Sequence, residues 1–126
     1  MSAYLDTHVA VWLFGGLLDR LSRAASRAIE ANDLLISPIV LLELEYLHKR
    51  KRISRQAVDV SQYLSSAFGV AICHYPFPAV ILESVGLDWT SDPFDRIIVA
   101  QAKANDNAVL ITADDLIRRH YKRAIW

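Results

Sequence analysis

The sequence predicts an α/β protein in which a parallel sheet of four to five strands is covered by helices on both faces. The first observation is that short apolar runs alternate along the chain with longer segments of helical periodicity. The second is that residues typical of element boundaries, such as Ser-Pro, Asp-Pro and glycine, separate these segments. The third is composition, because 53% of the 126 residues are hydrophobic, enough for a buried core. Residues 1–126 are therefore predicted to form a single domain.

Two strands and two helices are predicted before Pro38. The run AYLD is typical of a short buried strand, and the apolar residues after it lie on more than one helix face, as in a buried helix. Gly15 and Gly16 end that helix, and Asn32-Asp33 form a turn before the second strand. In chain order the elements are a strand at 3–6, a helix at 8–14, an amphipathic helix within 19–33 and a strand at 34–37.

The remaining elements are predicted from caps and breakers. Ser37 precedes Pro38 as the cap of a helix, Ser54 is expected to cap the next helix, and Gly69 ends that one. In order these are helices at 38–52 and 54–67, a strand at 70–75, helices at 77–87 and 92–104, a strand at 108–112, a helix at 114–121 and an edge strand at 123–126.

Charge and composition exclude several classes of protein. With 14 basic and 14 acidic side chains the net charge is zero, so binding of nucleic acid by bulk charge is excluded and local patches are required. The single cysteine, Cys73, permits no disulfide within the chain. No signal peptide is recognisable, and no apolar run is long enough to span a bilayer. We therefore expect a soluble, cytoplasmic protein without membrane contact.

Two aspartates follow predicted strands directly. Asp6 ends the first strand, and Asp114 lies just beyond the fourth strand in LITADD. Ligands of open parallel sheets bind outside the carboxyl ends of the strands, so both residues belong to the edge where a site is expected. Each is also explained as a simple cap of the helix that follows it.

Two further carboxylates lie on predicted core-facing helix stripes. The helical neighbours of Glu43 are apolar, and Asp95 shares a face with Ile98 and Val99. A buried carboxylate is costly unless it is paired or binds a metal. The alternatives are hydrogen bonds to hydroxyls or backbone for Glu43, and for Asp95 a capping arrangement with Asp92 as the cap. Glu45, by contrast, is expected to be a solvated partner of His48 and Lys49.

If these carboxylates converge, the chemistry of a cation site follows. Two like charges roughly 4 Å apart at an effective dielectric of about 20 repel by on the order of 4 kcal/mol. Oxygen-only ligands favour Mg²⁺ or Mn²⁺, one or two ions, and such a site suits phosphoryl chemistry. No P-loop, dinucleotide fingerprint, HExxH or GxSxG motif competes. We interpret the scattered histidines as structural or surface residues: His8, His48, His74 and His120.

Four motifs in this order, YLDTH, LLELEYL, DPFDRIIVAQA and LITADD, resemble the PIN-domain family over essentially the whole chain, and most resemble its VapC-like toxins. The resemblance implies a three-layer α/β/α fold and an endoribonuclease that depends on Mg²⁺ or Mn²⁺. The resemblance also implies that the acidic site of the family, with its supporting residues, is present in this chain. The catalytic and metal-binding positions are Asp6, Glu43, Asp95 and Asp114, and the supporting positions are Thr112, Thr7 and Asp92.

The same resemblance implies RNA as substrate, a cognate antitoxin that blocks the site, and a homodimer. The chain departs from the family at WTSDPFDR, where no basic or His residue precedes DPFD. Phosphate contacts are expected from two basic runs and from Arg96, although solvated helix ends explain the same runs. The candidates are Arg96, Lys49, Arg50, Lys51, Arg52, Arg118 and Arg119.

Two other functions fit the same elements. One is a non-catalytic interaction module that keeps the fold, although all four acidic positions are filled. The other is a small Mg²⁺-dependent phosphatase or phospho-acceptor domain with Asp6 as nucleophile. Those domains commonly place a second acid beside the nucleophile or two residues on, where this chain has Thr7 and His8.

Overall fold

Five short strands form one parallel sheet at the centre of the molecule, in the order β3-β2-β1-β4-β5. The computed structural model describes all residues, 1–126. Because every pair is parallel, the carboxyl ends of all five strands meet at one edge. The strands are β1 (Ser2–Leu5), β2 (Asp33–Ile36), β3 (Ala71–Ile72), β4 (Val109–Ile111) and β5 (Ala124–Ile125).

Seven α-helices cover the two faces of the sheet and complete a three-layer α/β/α arrangement. No helix combines the length and the apolar character needed to cross a bilayer. The helices are α1 (Thr7–Phe14), α2 (Arg23–Ala31), α3 (Pro38–Lys49), α4 (Ala57–Phe68), α5 (Phe77–Val85), α6 (Pro93–Ala104) and α7 (Asp115–His120).

The two helices that carry Glu43 and Asp95 each begin at a capping residue followed by proline. Ser37 Oγ accepts a hydrogen bond from Ile39 N at 3.3 Å, and Pro38 is the first residue of α3. Asp92 caps α6 in the same way ahead of its own proline. Proline suits a first helical position because its fixed φ is already helical and its missing N–H would have no partner there. The predicted starts of both helices are confirmed.

The predicted helix within 19–33 is interrupted, and the predicted strand at 70–75 is shorter. Leu18–Arg20 form a 3₁₀ turn, and α2 begins only after Ser22, whose Oγ accepts from Ala25 N at 3.0 Å. A serine that caps its own helix cannot also continue a preceding one, because capping requires an extended backbone. The third strand is reduced to Ala71–Ile72.

The predictions for Ser54 and Glu45 were both wrong. The helix expected to begin at Ser54 begins at Ala57, and its cap position, Gln56, makes no side-chain hydrogen bond. Instead Glu45 Oε1, on the neighbouring helix α3, accepts from Ala57 N at 3.1 Å. A free N–H at a helix start donates to any suitably placed carboxylate, and the helix dipole favours the negative charge.

Replacing Glu45 by alanine is therefore expected to lower the free energy of unfolding by about 1 kcal/mol, the usual value of a helix cap. The same change at Ser54 is expected to cost almost nothing. Chemical denaturation of both variants checks this, and an equal effect at the two positions would contradict the assignment of the cap.

A chain of buried polar groups fixes α6 against the sheet. Gln101 is 1% exposed; its Oε1 accepts from Ser37 Oγ at 2.9 Å, and its Nε2 donates to Cys73 Sγ at 3.5 Å. The chain continues from Cys73 to the Tyr4 hydroxyl at 3.0 Å, which in turn accepts from Asn105 Nδ2 at 2.9 Å. Because satisfied buried networks are rigid, α6 and the carboxylate on its first turn have a defined position.

Candidate functional site

Asp6 lies at the carboxyl end of β1 and is almost completely buried, with 5% of its surface exposed. Its Oδ1 accepts a hydrogen bond from Thr7 N at 2.8 Å, so it caps α1. Its Oδ2 accepts from Thr112 Oγ1 at 2.6 Å, across the gap between β1 and β4. Asp6 is thus both a helix cap and a carboxylate fixed at the carboxyl edge of the sheet, and the two interpretations of it do not exclude each other.

Thr112 connects Asp6 with Asp114. The Thr112 side chain is fully buried, and its Oγ1 accepts from Asp114 N at 3.1 Å while donating to Asp6. Asp114 caps α7, because its Oδ1 accepts from Ile117 N at 2.9 Å. The two aspartates predicted at strand ends therefore share one hydroxyl group as a common partner.

Thr7 makes the corresponding connection to α3. Its side chain is fully buried, and its Oγ1 donates to Glu43 Oε1 at 2.5 Å. Glu43 itself is half-buried on α3, in agreement with its place on an apolar stripe. The hydroxyl of the residue that follows Asp6 therefore holds Glu43 close to the end of β1.

Asp92 and Asp95 belong to the start of α6. Asp92 Oδ1 accepts from Phe94 N at 2.9 Å and from Asp95 N at 3.4 Å, which confirms it as the cap. Asp95 is half-buried on the first turn of the helix. The cap and the carboxylate on the stripe are therefore two different residues, as the sequence predicts.

Five carboxylates lie near enough to one another to influence the pKa of Asp95. We call them the acidic cluster, which consists of Asp6, Glu43, Asp92, Asp95 and Asp114. Burial, and after it the negative charges of the four other members, together raise the pKa of Asp95 to about 7. Burial is also the main cause that raises the pKa of Asp6 and of Glu43, while hydrogen bonds from Thr112 and Thr7 lower it. The cluster is thus a region in which several carboxylates raise one another's pKa.

The chemistry of the donors fits a hard divalent cation. No three His, Cys, Asp or Glu side chains stand together as a ready set of metal ligands. The three ion pairs of the molecule, Arg55–Asp59, Lys103–Glu83 and Arg118–Asp115, all lie outside the acidic cluster. An oxygen-only cluster that forms no ion pair is suited to Mg²⁺ or Mn²⁺.

Of the predicted basic residues, Arg50 lines a hollow together with Glu43 and Asp92 of the acidic cluster. Arg96 donates through Nη2 to the carbonyl oxygen of Val85 at 3.2 Å. The other candidates lie elsewhere on the surface: Lys49 ends α3, Lys51 and Arg52 line an open hollow with His48, Arg118 pairs with Asp115 at 3.6 Å, and Arg119 is exposed on α7.

His8 is a residue of this site that the sequence interpretation missed. It is exposed on the first turn of α1, and the electrostatic influence of its imidazole lowers the pKa of both Asp6 and Glu43. The interpretation treated all four histidines alike. The available signal was the position of His8 two residues after Asp6, where the start of a helix keeps it at the carboxyl edge.

A three-layer fold with acidic residues at the carboxyl edge of the sheet is the arrangement expected for a PIN-domain protein. Comparison with known proteins leads to the same family. A model of the PIN domain matches residues 3–123, so this chain belongs to the PIN-domain family. Within that family the chain is similar to the VapC proteins. It is 35% identical over 119 residues to Ribonuclease VapC22 of Mycobacterium tuberculosis, a match that covers 92% of this chain and 89% of the relative.

Two solved structures share the fold. A toxin–antitoxin complex from Klebsiella pneumoniae matches with a TM-score of 0.68 and 24% identity, covering 98% of this chain and 96% of that chain. VapBC2 from Rickettsia felis, bound to a DNA fragment from its promoter, matches with a TM-score of 0.62 and 21% identity, covering 94% and 92%. At these identities the similarity establishes the fold.

Thr112 is expected to act as a positioning residue for Asp6. Replacement by valine removes the donor to Asp6 and the acceptor of Asp114 N, so RNA cleavage is expected to fall by about 10- to 100-fold, as for other groups that orient a metal ligand. Thr112→Ser keeps the hydroxyl, and its rate of RNA cleavage is expected to stay within about threefold of the wild-type rate. Titration with Mn²⁺ gives the second measurement, because the valine variant should bind the ion more weakly. Equal metal affinity in all three proteins would contradict the role.

Proposed function

We propose that this protein is a metal-dependent endoribonuclease that hydrolyses phosphodiester bonds in RNA, and that it is the toxin of a toxin–antitoxin pair. The observation that carries the proposal is the acidic cluster, in which four neighbouring carboxylates raise the pKa of a fifth and no ion pair neutralises them. Membership of the PIN-domain family and the relation to Ribonuclease VapC22 support the same activity.

The residues of the cluster have different tasks in this proposal. Asp6 and Asp95 bind Mg²⁺ or Mn²⁺ directly, Glu43 binds it or orients the attacking water, and Asp114 acts through water or at a second ion. A bound cation of this type lowers the pKa of water and neutralises charge on the phosphate. Thr112 and Thr7 hold the carboxylates of Asp6 and Glu43 through the hydrogen bonds described above, so little rearrangement is needed before substrate binds.

The surroundings of Asp6 weigh against the phospho-acceptor alternative. Phospho-acceptor domains commonly place a second acid beside the nucleophile or two residues on, and Thr7 and His8 occupy those positions after Asp6. Exposure to beryllofluoride in the presence of Mg²⁺ distinguishes the two functions. A stable adduct on Asp6 would support the phospho-acceptor, and we expect none.

The test of the proposed function is cleavage of RNA by the purified protein. Total RNA is incubated with Mg²⁺, with Mn²⁺ or with EDTA, and the ends of the fragments are mapped. We expect discrete fragments with 5′-phosphate and 3′-hydroxyl ends in both metals and none in EDTA. Intact RNA under every condition would overturn the nuclease and favour the alternative of a non-catalytic interaction module.

Partners and organisation follow from the same proposal. The solved neighbours include toxin–antitoxin complexes, which supports a protein antitoxin as partner of this chain as well. We further propose a homodimer of one nuclease domain per chain, residues 1–126, acting in the cytoplasm on cellular RNA. Co-expression with the antitoxin is expected to suppress the cleavage measured above, and light scattering of the purified protein gives its mass in solution.

A further inference from the structure

A hollow of about 430 Å³ lies directly beside the acidic cluster, between α3 and the start of α6. We call it the α3–α6 hollow. Its lining includes Glu43 and Asp92, so it is continuous with the proposed reaction site. A volume in the range of roughly 300–1,000 Å³ is typical of pockets that hold small molecules or parts of larger ones.

One stripe of α3 forms a wall of this hollow. Glu43, Tyr46, Leu47 and Arg50 are spaced at intervals of three and four residues, which places them on one face of the helix. Glu43 stands at the acidic end of the stripe and Arg50 at the end of the helix, separated by two turns, or about 10 Å along the axis. The hollow therefore has a carboxylate at one end, a guanidinium at the other and an aromatic ring between them.

The aromatic ring of Tyr46 is available for binding. Tyr46 and Phe94 pack edge to face, with ring centroids 5.6 Å apart and an angle of 88° between the rings. Tyr46 is nevertheless 47% exposed, so much of its ring remains open to a ligand. Both residues line the α3–α6 hollow, and aromatic faces of this kind stack on nucleic-acid bases irrespective of sequence.

We propose that the α3–α6 hollow is a nucleotide subsite, in which a base of the RNA next to the cleaved bond stacks on Tyr46 and Phe94 while Arg50 binds a flanking phosphate. The proposal deepens the proposed function and rests on it. A nucleotide combines a flat base with an anionic phosphate, and the hollow offers an aromatic surface and a guanidinium side by side. Only three of its eight lining residues are hydrophobic, which suits a nucleotide better than the apolar face of a bound peptide helix.

The first test compares two tyrosines in similar surroundings. Tyr63 on α4 is 45% exposed and also packs edge to face, on Phe14 at 5.4 Å, but it lies outside the hollow. Tyr46→Ala is expected to raise KM for a short RNA roughly tenfold, the usual loss for one stacked base, and to leave kcat within about threefold. Tyr46→Phe keeps the ring and is expected to have a KM well below that of the alanine variant. Tyr63→Ala is the matched control and is expected to leave KM unchanged. Tyr46→Leu replaces the alanine variant if the latter does not fold.

The second measurement does not depend on cleavage. An RNA oligonucleotide that carries 4-thiouridine is bound to the Asp6→Asn variant and cross-linked by light, and the modified peptide is identified by mass spectrometry. Cross-links at Tyr46 or Phe94 support the subsite, and cross-links confined to other surfaces overturn it.

If the wild type cleaves RNA and Tyr46→Ala has the same KM and cleavage sites, the subsite is wrong and the nuclease stands. If that variant loses only its affinity for a protein partner, the hollow binds protein. If the wild type cleaves nothing, the proposed function fails, and the cross-links alone decide whether RNA occupies the hollow.

Discussion

Replacing Asp6 by asparagine is expected to reduce RNA cleavage by about a thousandfold or more, a loss on the order of 4 kcal/mol of transition-state stabilisation. The change removes a buried charge that is proposed to bind the metal ion. The fold should not suffer, because an asparagine oxygen still accepts from Thr7 N and its amide group can donate to the Thr112 hydroxyl. We expect the free energy of unfolding of the metal-free protein to be unchanged or higher, since burial penalises the ionised form of Asp6.

The matched control is Asp33→Asn. Asp33 is also an aspartate at the end of a strand, but it begins β2 and lies exposed at the amino edge of the sheet. That variant is expected to cleave RNA like the wild type. Full activity of Asp6→Asn, with metal-dependent cleavage by the wild type in the same assay, would remove the acidic cluster from the mechanism.

The second large effect concerns stability and pH. Folding raises the pKa of Asp95 from its ordinary value of 3.8 to about 7. Between these values the folded state holds a proton on Asp95 that the unfolded state has lost, so the folded state binds more protons and stability falls as pH rises. In EDTA we therefore expect the melting temperature to decrease between about pH 4 and pH 7, by on the order of 5 °C after allowance for partial exposure.

Asp95→Asn is expected to flatten this dependence, because the asparagine side chain does not titrate. Addition of Mg²⁺ or Mn²⁺ to the wild type should reverse the slope, since the cation binds the ionised carboxylates and stabilises the folded state more as they deprotonate. Differential scanning calorimetry across the pH range measures both effects. An Asp95→Asn profile that follows the wild type would show that other groups cause the slope.

The parts of the fold that are encoded locally could be predicted from the sequence. Pro38 and Pro93, each after a side chain that caps a helix, mark the starts of α3 and α6 within the chain itself. Gly69 ends α4 in the left-handed conformation, at φ 69°, which glycine adopts without steric cost. The apolar stripes that contain Glu43 and Asp95 likewise predicted carboxylates that face the core, and both are half-buried.

Contacts between distant segments could not be predicted in this way. Glu45 supplies the hydrogen bond at the start of α4 from a neighbouring helix, and no pattern around Ser54 or Ala57 reports it. Tyr46 and Phe94 pack against each other although they are almost fifty positions apart in the sequence, and no local pattern around either residue predicts that contact. The hydrogen bond from the Thr112 hydroxyl to Asp6 forms because β1 and β4 are neighbours in the sheet. Local sequence patterns do not predict that order of strands.

The two outer strands of the sheet, β3 and β5, contain only two residues each. So short an edge offers few free N–H and C=O groups, and it gives another polypeptide little to add to as a further strand. Such short edge strands lower the tendency of the sheet to pair edge to edge with another copy. We therefore expect a second copy, or a protein that binds this one, to associate through helix surfaces and loops.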